Sequence, residues 1–154
     1  MIVGIPKEVK DNEKRVSLTP YGANELVKAG NTVIIEKDAG IGSGFTNKLY
    51  SNNGAKIAET SDEVFEASDL IVKVKEPQPE EITKIKENQI VFTFFHFAAC
   101  HELTTSILNT GCISIAYETV QNIDGSLPIL VPMSEVAGRM SVQNGAKCLE
   151  GNMG

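Results

Sequence analysis

The stretch IVFTFFHFAACH, from Ile90 to His101, decides the fold class of this chain. Its first six residues, up to Phe95, are apolar apart from Thr93 and rich in aromatic and β-branched side chains. Such a run is typical of a strand that is buried on both faces, as strands of parallel sheets are. His96 stands where this strand should end, and ligands of open α/β sheets bind beyond the carboxyl ends of the strands. Because a histidine can give or take a proton near neutral pH, His96 is the first candidate for catalysis.

Apolar strand patterns alternate with helix patterns along the whole chain. The sequence predicts further strands at residues 2–5, 32–35, 56–58, 70–75 and 112–117. It predicts helices that begin after Thr19, span 47–53, 60–67, 80–85 and 102–108, and run from an N-cap at Ser134 through Leu149. This alternation favours an α/β fold, a Rossmann-like, doubly wound parallel sheet with helices on both faces.

Length, composition and charge are those of one soluble domain. The 154 residues are 42% apolar and 22% charged, with a formal net charge of -6. Lys and Arg form no cluster, which argues against nucleic acid as a partner. The longest apolar run, Ile90 to Cys100, is too short to cross a bilayer, and no secretory signal opens the chain, so no membrane partner is expected.

The cysteines and the histidines indicate no metal site. Cys100, Cys112 and Cys148 are odd in number and widely spaced, which suggests a reducing, cytoplasmic location. Cys100 lies near His96 and His101, but three ligands around a strand-to-helix turn match no zinc spacing. No metal is therefore expected.

A glycine-rich loop, AGIGSGF, spans Ala39 to Phe45. Its glycines are spaced G-x-G-x-G, unlike the G-x-G-x-x-G dinucleotide fingerprint, and no Walker lysine follows. The loop could be a phosphate cradle or a tight turn that needs positive φ angles. The tight turn is the favoured interpretation, because a lone glycine-rich loop is weak evidence for phosphate binding.

Four polar side chains are predicted to meet at the carboxyl edge of the sheet. Arg15 follows the first strand, Lys75 ends the fourth, His96 follows the fifth and Tyr117 ends the sixth. Two cations and a histidine suit a small anionic substrate, since arginine binds carboxylates in bidentate fashion and lysine acts as a point charge. Each also has a structural interpretation: a surface arginine, a lysine reaching solvent, a core histidine and a packing tyrosine.

The chain resembles the N-terminal part of the alanine dehydrogenase family. The resemblance is carried by six motifs: GIPKEVKDNEKRVSLTP (4–20), GIGSGF (40–45), VKVKEP (72–77), FFHFAA (94–99), AYETVQ (116–121) and DGSLPILVPMSEVAGRM (124–140). They extend to about Glu150. The N-terminal part of proton-translocating transhydrogenase is a similar family, but it lacks the histidine after the aromatic strand.

The resemblance implies NAD-dependent oxidative deamination of L-alanine to pyruvate and ammonia, and the reverse reaction. It implies that Arg15 holds the substrate carboxylate, that Lys75 contacts the substrate, and that His96 is the catalytic acid/base. It further implies that Ser134 lies on the cofactor side of the cleft. The full-length family tends to form hexamers, so a homo-oligomer is expected.

Family members run past 300 residues, and their NAD-binding domain has no counterpart in this sequence. We therefore expect a substrate domain at 1–133 and the start of an inter-domain connecting helix at 134–154. The isolated chain is expected to be truncated and inactive, because hydride transfer needs nicotinamide held against the substrate. Two alternatives stay open: a non-catalytic module that binds a small 2-oxo or amino acid, and the N-terminal part of a transhydrogenase-like subunit.

Overall fold

A computed structural model describes residues 1–151 of the chain. The strands are β1 (Ile2–Ile5), β2 (Thr32–Glu36), β3 (Lys56–Ala58), β4 (Leu70–Lys75), β5 (Ile90–Phe94) and β6 (Ile113–Ala116). The helices are α1 (Pro20–Lys28), α2 (Asn47–Asn52), α3 (Ser61–Ala67), α4 (Pro79–Ile82), α5 (His101–Thr110) and α6 (Leu130–Cys148). Short 3₁₀ turns occur at Ile41–Ser43, Phe97–Ala99 and Tyr117–Thr119. The chain divides into two compact units, of which the first is Met1–Ala116 and the second begins at Tyr117.

The six strands form one sheet in the order β3-β2-β1-β4-β5-β6, and every neighbouring pair is parallel. This confirms the predicted doubly wound α/β fold. Successive strands from β1 to β3 extend the sheet in one direction, and those from β4 to β6 extend it in the other. The strand order therefore reverses between β1 and β4, where the loops at the carboxyl ends diverge and leave a crevice for ligands.

Two apolar cores lie on opposite faces of the sheet, because side chains alternate along each strand. Val33 and Ile35 of β2 belong to the core under α1 and α2, whereas Ile34 packs against the other core. That other core contains Val64 and Phe65 of α3 together with Ile107 of α5 and residues of β4 and β5. Helices thus cover both faces, as a parallel sheet requires.

The starts of the first helices follow from local capping. Thr19 caps α1 by accepting from the N–H of Gly22, with Pro20 in the first turn. Thr60 caps α3 by accepting from the N–H of Glu63 at 3.3 Å. In a capping box, the carboxylate of Glu63 would accept from the N–H of Thr60. Here it accepts instead from the N–H of Glu59, at 3.0 Å.

The predicted helix start at Ser134 is wrong. Helix α6 begins at Leu130, preceded by Ile129, and Ser134 lies in its second turn. Pro132 is compatible with this earlier start, because the first helical turn leaves its N–H groups without intrahelical partners.

No helix within residues 1–151 has the length and apolar character needed to cross a membrane. The domain boundary between residues 133 and 134 stays a prediction.

Candidate active site

Arg15 lies in the long loop that follows β1, at the edge of the crevice. Its Nε donates to Glu13 Oε1 at 2.8 Å, and its Nη2 donates to Glu13 Oε2 at 2.6 Å. The two residues thus form a bidentate pair, in which Glu13 is almost fully buried and Arg15 is half-exposed. Glu13 therefore holds the guanidinium of Arg15 in a fixed orientation, while part of the arginine side chain faces solvent.

The electrostatics of Glu13 bring Lys75 into the same neighbourhood. The pKa of Glu13 falls from its ordinary 4.5 to about 2, chiefly because Arg15 donates hydrogen bonds to it. Burial opposes this effect, and the positive charge of Lys75 adds to it. The hydrogen bonds from Arg15 thus dominate the pKa of Glu13, and Lys75, at the end of the neighbouring strand β4, adds the smallest contribution.

The glycine-rich loop supports the loop that carries Arg15. A Cβ on Gly42 would lie 2.5 Å from the carbonyl oxygen of Lys14, so the two backbones touch where a side chain would not fit. Ser43 Oγ donates to the same carbonyl at 3.2 Å. Gly44 has a φ of 83°, which confirms the expected tight turn with a positive φ angle.

The amide groups of the glycine-rich loop are used within the loop. The N–H groups of Ile41, Ser43, Gly44 and Phe45 donate to carbonyl oxygens of residues 38–41 at 2.9 to 3.3 Å. They are therefore not directed outward in the way that a phosphate cradle requires. This loop does not fit the pyrophosphate of a dinucleotide.

Lys75 ends β4 at an irregularity in the sheet. Val72 pairs with Phe92, but Lys75 pairs with Phe94, so β4 contains one residue more than β5 over this span. Such a bulge bends a strand and changes the direction of the side chains that follow. Lys73 is accordingly fully buried, whereas Lys75 is only half-buried. The carbonyl oxygen of Lys75 accepts from Thr93 Oγ1 at 2.8 Å, which ties the end of β4 to β5.

A buried ionic network lies behind Lys75. Lys73 Nζ donates to Glu8 at 3.2 Å and to Glu81 at 2.7 Å, and all three side chains are buried. Glu8 comes from the loop after β1, and Glu81 comes from α4, which follows β4. The network therefore joins the two segments that follow β1 and β4 at the crevice. Burial raises the pKa of Glu8, and Lys73 acts in the opposite direction.

His96 lies two residues beyond β5 in a left-handed backbone conformation, with φ 54° and ψ 37°. Its exposed ring stacks on Phe94, with ring centres 6.0 Å apart and an interplanar angle of 13°. Burial raises the pKa of the neighbouring Glu76, but the hydrogen bond from Lys10 and the charges of Lys10 and His96 outweigh it and lower that pKa. His96 therefore lies close to Glu76, the residue that directly follows Lys75.

The first compact unit thus brings three of the predicted site residues to one edge of the sheet. Arg15 follows β1, Lys75 ends β4 and His96 follows β5, and these three parallel strands are neighbours in the sheet. A cavity of about 150 Å³ borders Arg15 and is lined also by Glu8 and Glu13. Charged side chains of both signs make up most of its lining.

Two other candidates belong to the second unit. Tyr117 begins the turn directly after β6, and Ser134 is an exposed residue of α6. Their predicted roles, Tyr117 at the strand edge and Ser134 beside the cofactor, stay predictions.

Sequence reasoning missed the residues that hold the site in place. Glu8 was hidden in the charged run KEVKDNEKR (7–15), and Glu81 in the acidic run EPQPEE (76–81). Lys73 carried a usable signal, because a lysine inside the apolar strand LIVKVK must find a carboxylate partner when it is buried.

Comparisons with known proteins point to one family. The family described as "Alanine dehydrogenase/PNT, N-terminal domain" matches residues 4–137. An alanine dehydrogenase of Staphylococcus saprophyticus is 52% identical over 157 residues, covering 100% of this chain and 42% of the relative. The alanine dehydrogenase of Methanococcus maripaludis is 51% identical over 150 residues, covering 97% of this chain and 40% of the relative. The chain thus spans about two fifths of the length of these relatives.

Solved structures give the same picture. An L-alanine dehydrogenase superposes with a TM-score of 0.92 at 45% identity, covering 100% of this chain and 42% of that chain. A transhydrogenase from Sinorhizobium meliloti superposes with a TM-score of 0.75 at 28% identity, covering 80% of this chain and 36% of that chain. The similarity to the transhydrogenase is weaker in every respect.

Proposed function

Because this chain belongs to the family of alanine dehydrogenase/PNT N-terminal domains, we propose that it is the substrate-binding part of an NAD-dependent L-alanine dehydrogenase. The reaction is the conversion of L-alanine, NAD and water to pyruvate, ammonia and NADH, and its reverse. In this proposal the present residues bind the amino or 2-oxo acid. The rest of the relatives' length has no counterpart among these residues.

One observation carries the proposal: two cations, Arg15 in its bidentate pair with Glu13 and Lys75, lie at the carboxyl ends of the neighbouring strands β1 and β4, at the switch point of the sheet. L-Alanine and pyruvate each carry a carboxylate, and each has a second polar group on the next carbon. A site with one bidentate cation and one point charge suits this pair of groups. Glu13 accepts from two of the five guanidinium donors of Arg15, and it fixes the plane in which a substrate carboxylate would bind.

The proposed roles follow from the chemistry of each side chain. Arg15 binds the substrate carboxylate, and Lys75 donates a hydrogen bond to the carbonyl oxygen of pyruvate. His96 takes a proton from the water that adds to the imino carbon, and it returns that proton when ammonia leaves. The imidazole of His96 is exposed and stacks on the ring of Phe94.

NAD is proposed as the cofactor of the enzyme on the strength of the family alone. The glycine-rich loop does not fit a dinucleotide, since its amides are engaged and Gly42 is packed against Lys14. Ser134 is proposed to lie on the cofactor side, as an exposed residue of α6. In this proposal Arg15, Lys75 and His96 are assigned to the substrate, and Ser134 alone is assigned to the cofactor side.

Two alternatives concern a different class of protein. A module that only senses a small 2-oxo or amino acid would need the two cations but not a proton-transferring group, so the presence of His96 favours the enzyme. The N-terminal part of a transhydrogenase-like subunit is the other alternative. The higher identity to alanine dehydrogenases, 52% against 28%, supports the dehydrogenase.

The test is a titration of the ¹⁵N-labelled polypeptide 1–154 with pyruvate, followed by NMR. We expect saturable shifts at Arg15, Lys75 and His96. Replacement of Arg15 by Lys keeps the charge but removes the bidentate geometry, so affinity should fall about tenfold or more. Lys37→Gln is the matched control, because it removes an exposed cation at the end of β2 that is paired with Glu59.

Equal loss of affinity in Arg15→Lys and Lys37→Gln would indicate a general charge effect and contradict a specific carboxylate site. A well-dispersed spectrum in which pyruvate moves no signal would contradict the proposed function itself.

A further inference from the structure

The bulge at the end of β4 is stabilised by a side chain from a different loop. The N–H of Val74 donates to Glu8 Oε1 at 2.6 Å, and the N–H of Lys75 donates to Glu8 Oε2 at 3.3 Å. One carboxylate thus takes two consecutive backbone donors at the point where the register of β4 against β5 shifts. The carboxylate of Glu8 thus takes the place of the carbonyl acceptors that a neighbouring strand would provide at this position.

The charge on Glu8 is maintained by Lys73, which donates to it at 3.2 Å. The groups that face Glu8 are Lys73 on β4, Glu81 on α4 and Arg15 on its own loop. An ionised carboxylate accepts backbone hydrogen bonds more strongly than a neutral one does. Lys73 is therefore required for Glu8 to hold both N–H groups at once.

Stability alone does not explain this arrangement. Buried ionic groups can often be replaced by apolar side chains without loss of stability, because their desolvation cost is high. What the network does provide is a fixed geometry. It joins the loop after β1, strand β4 and helix α4 around the half-buried Lys75.

Glu8 also lines the cavity beside Arg15. Glu8 therefore contacts the backbone of Lys75 and also borders the cavity beside Arg15. A shift of Glu8 would change the position of Lys75 relative to Arg15.

We propose that Glu8 is a positioning residue, which holds the bulge of β4 so that Lys75 meets the substrate bound by Arg15. This inference rests on the proposed role of Lys75 in binding the substrate. Glu8 itself does not contact the reacting atoms, and it acts through the backbone of Val74 and Lys75.

The test compares Glu8→Gln with Asp69→Asn in the ¹⁵N-labelled polypeptide 1–154. Asp69 is the matched control, because its carboxylate accepts from the N–H of Ile2 at 2.7 Å at the opposite edge of the sheet. Two quantities are measured: the dissociation constant for pyruvate, and the amide proton shifts of Val74 and Lys75. An amide proton that donates to a carboxylate resonates downfield, so these shifts report directly on the two bonds to Glu8.

In Glu8→Gln we expect upfield shifts at Val74 and Lys75 and an affinity for pyruvate that is about tenfold weaker, as expected when one hydrogen bond to a charged group is lost. Asp69→Asn should leave both quantities as in the wild type. If Glu8→Gln does not fold, the triple variant E8Q/K73M/E81Q removes the buried cation together with both of its partner charges and is held to the same expectations.

Unchanged affinity in Glu8→Gln would overturn the proposal, and so would a loss of affinity without any shift at Val74 and Lys75. Failure of the wild type to bind pyruvate would instead overturn the proposed function. In that case the two amide shifts still decide whether Glu8 holds the bulge.

Discussion

His96 adopts a backbone conformation that residues with a Cβ rarely take, with a φ of 54°. Strain of this kind is often found at functional sites, where surrounding contacts enforce it. Here the ring stacks on Phe94, and the backbone turns directly from β5 into the Phe97–Ala99 turn. This strain lies in the backbone, whereas the proposed proton transfer uses the imidazole, so substitutions of His96 can test the two separately.

We therefore predict different stabilities for two variants that both remove the imidazole. His96→Gly should be about 1 kcal/mol more stable than His96→Ala, because glycine adopts positive φ without a steric cost. Urea denaturation of both variants measures the difference. Asn88→Gly is the control: Asn88 has a φ of 63° away from the site, so glycine should be tolerated there without effect on pyruvate binding. Equal stability of the two His96 variants would show that the backbone is not strained.

The glycine-rich loop and the loop after β1 support each other, although the contacting residues Ser43 and Lys14 are 29 positions apart in sequence. Gly42 packs on the backbone of Lys14, the residue before Arg15, and Ser43 donates to the same backbone carbonyl. The glycines therefore serve to position Arg15, through close backbone approach rather than through phosphate binding.

Two alanine variants of this loop should separate stability from binding. Gly42→Ala would place a Cβ 2.5 Å from the carbonyl oxygen of Lys14, so it should displace the Arg15 loop and weaken pyruvate binding. Gly44→Ala meets no atom within 4 Å but has a φ of 83°. It should cost about 1–2 kcal/mol of stability with little effect on affinity. Thermal unfolding and pyruvate titration of both variants give the comparison, and equal affinities would contradict the supporting role of Gly42.

On the scale of the whole molecule, the helices α1 to α5 of the first compact unit leave one half of one sheet face with little cover. Ile113 and Ile115 of β6 are 50% and 41% exposed, and their register partners Ile90 and Phe92 of β5 are only half-buried. The exposed residues Ile113 and Ile115 define the uncovered half-face, on the same side of the sheet as α1 and α2, which cover the half formed by β1 to β3. An apolar patch next to an edge strand favours association.

We predict that the polypeptide 1–154 self-associates through the uncovered half-face and binds a hydrophobic dye. The double variant Ile113→Lys and Ile115→Lys should shift sedimentation toward the monomer and reduce dye binding, because each lysine places a charge on the apolar patch. Leu108→Lys is the matched control, since Leu108 is 74% exposed on α5, away from this half-face. A wild-type monomer that binds no dye would count against the prediction.

The sequence by itself determined the order of elements and their approximate limits, because apolar periodicity and capping are local properties. The run from Ile90 to Phe95 predicted a buried strand, and β5 spans Ile90–Phe94. The residue types at the strand ends also predicted a binding site for a small anionic substrate at one edge of the sheet. Arg15, Lys75 and His96 do lie at that edge. Ser134 as a helix cap failed for a local reason, since the first turn accommodates Pro132 and the helix starts earlier.

Only the tertiary structure decided which charged groups are partners. Glu8 and the bulge residue Val74 are 66 positions apart, and a run such as KEVKDNEKR does not reveal which of its carboxylates is buried. The choice depends on where β1 and β4 lie in the sheet and on the register shift between β4 and β5. Burial makes an unpaired charge or backbone donor costly, so the folded topology selects Glu8 for Lys73 and for the backbone of Lys75.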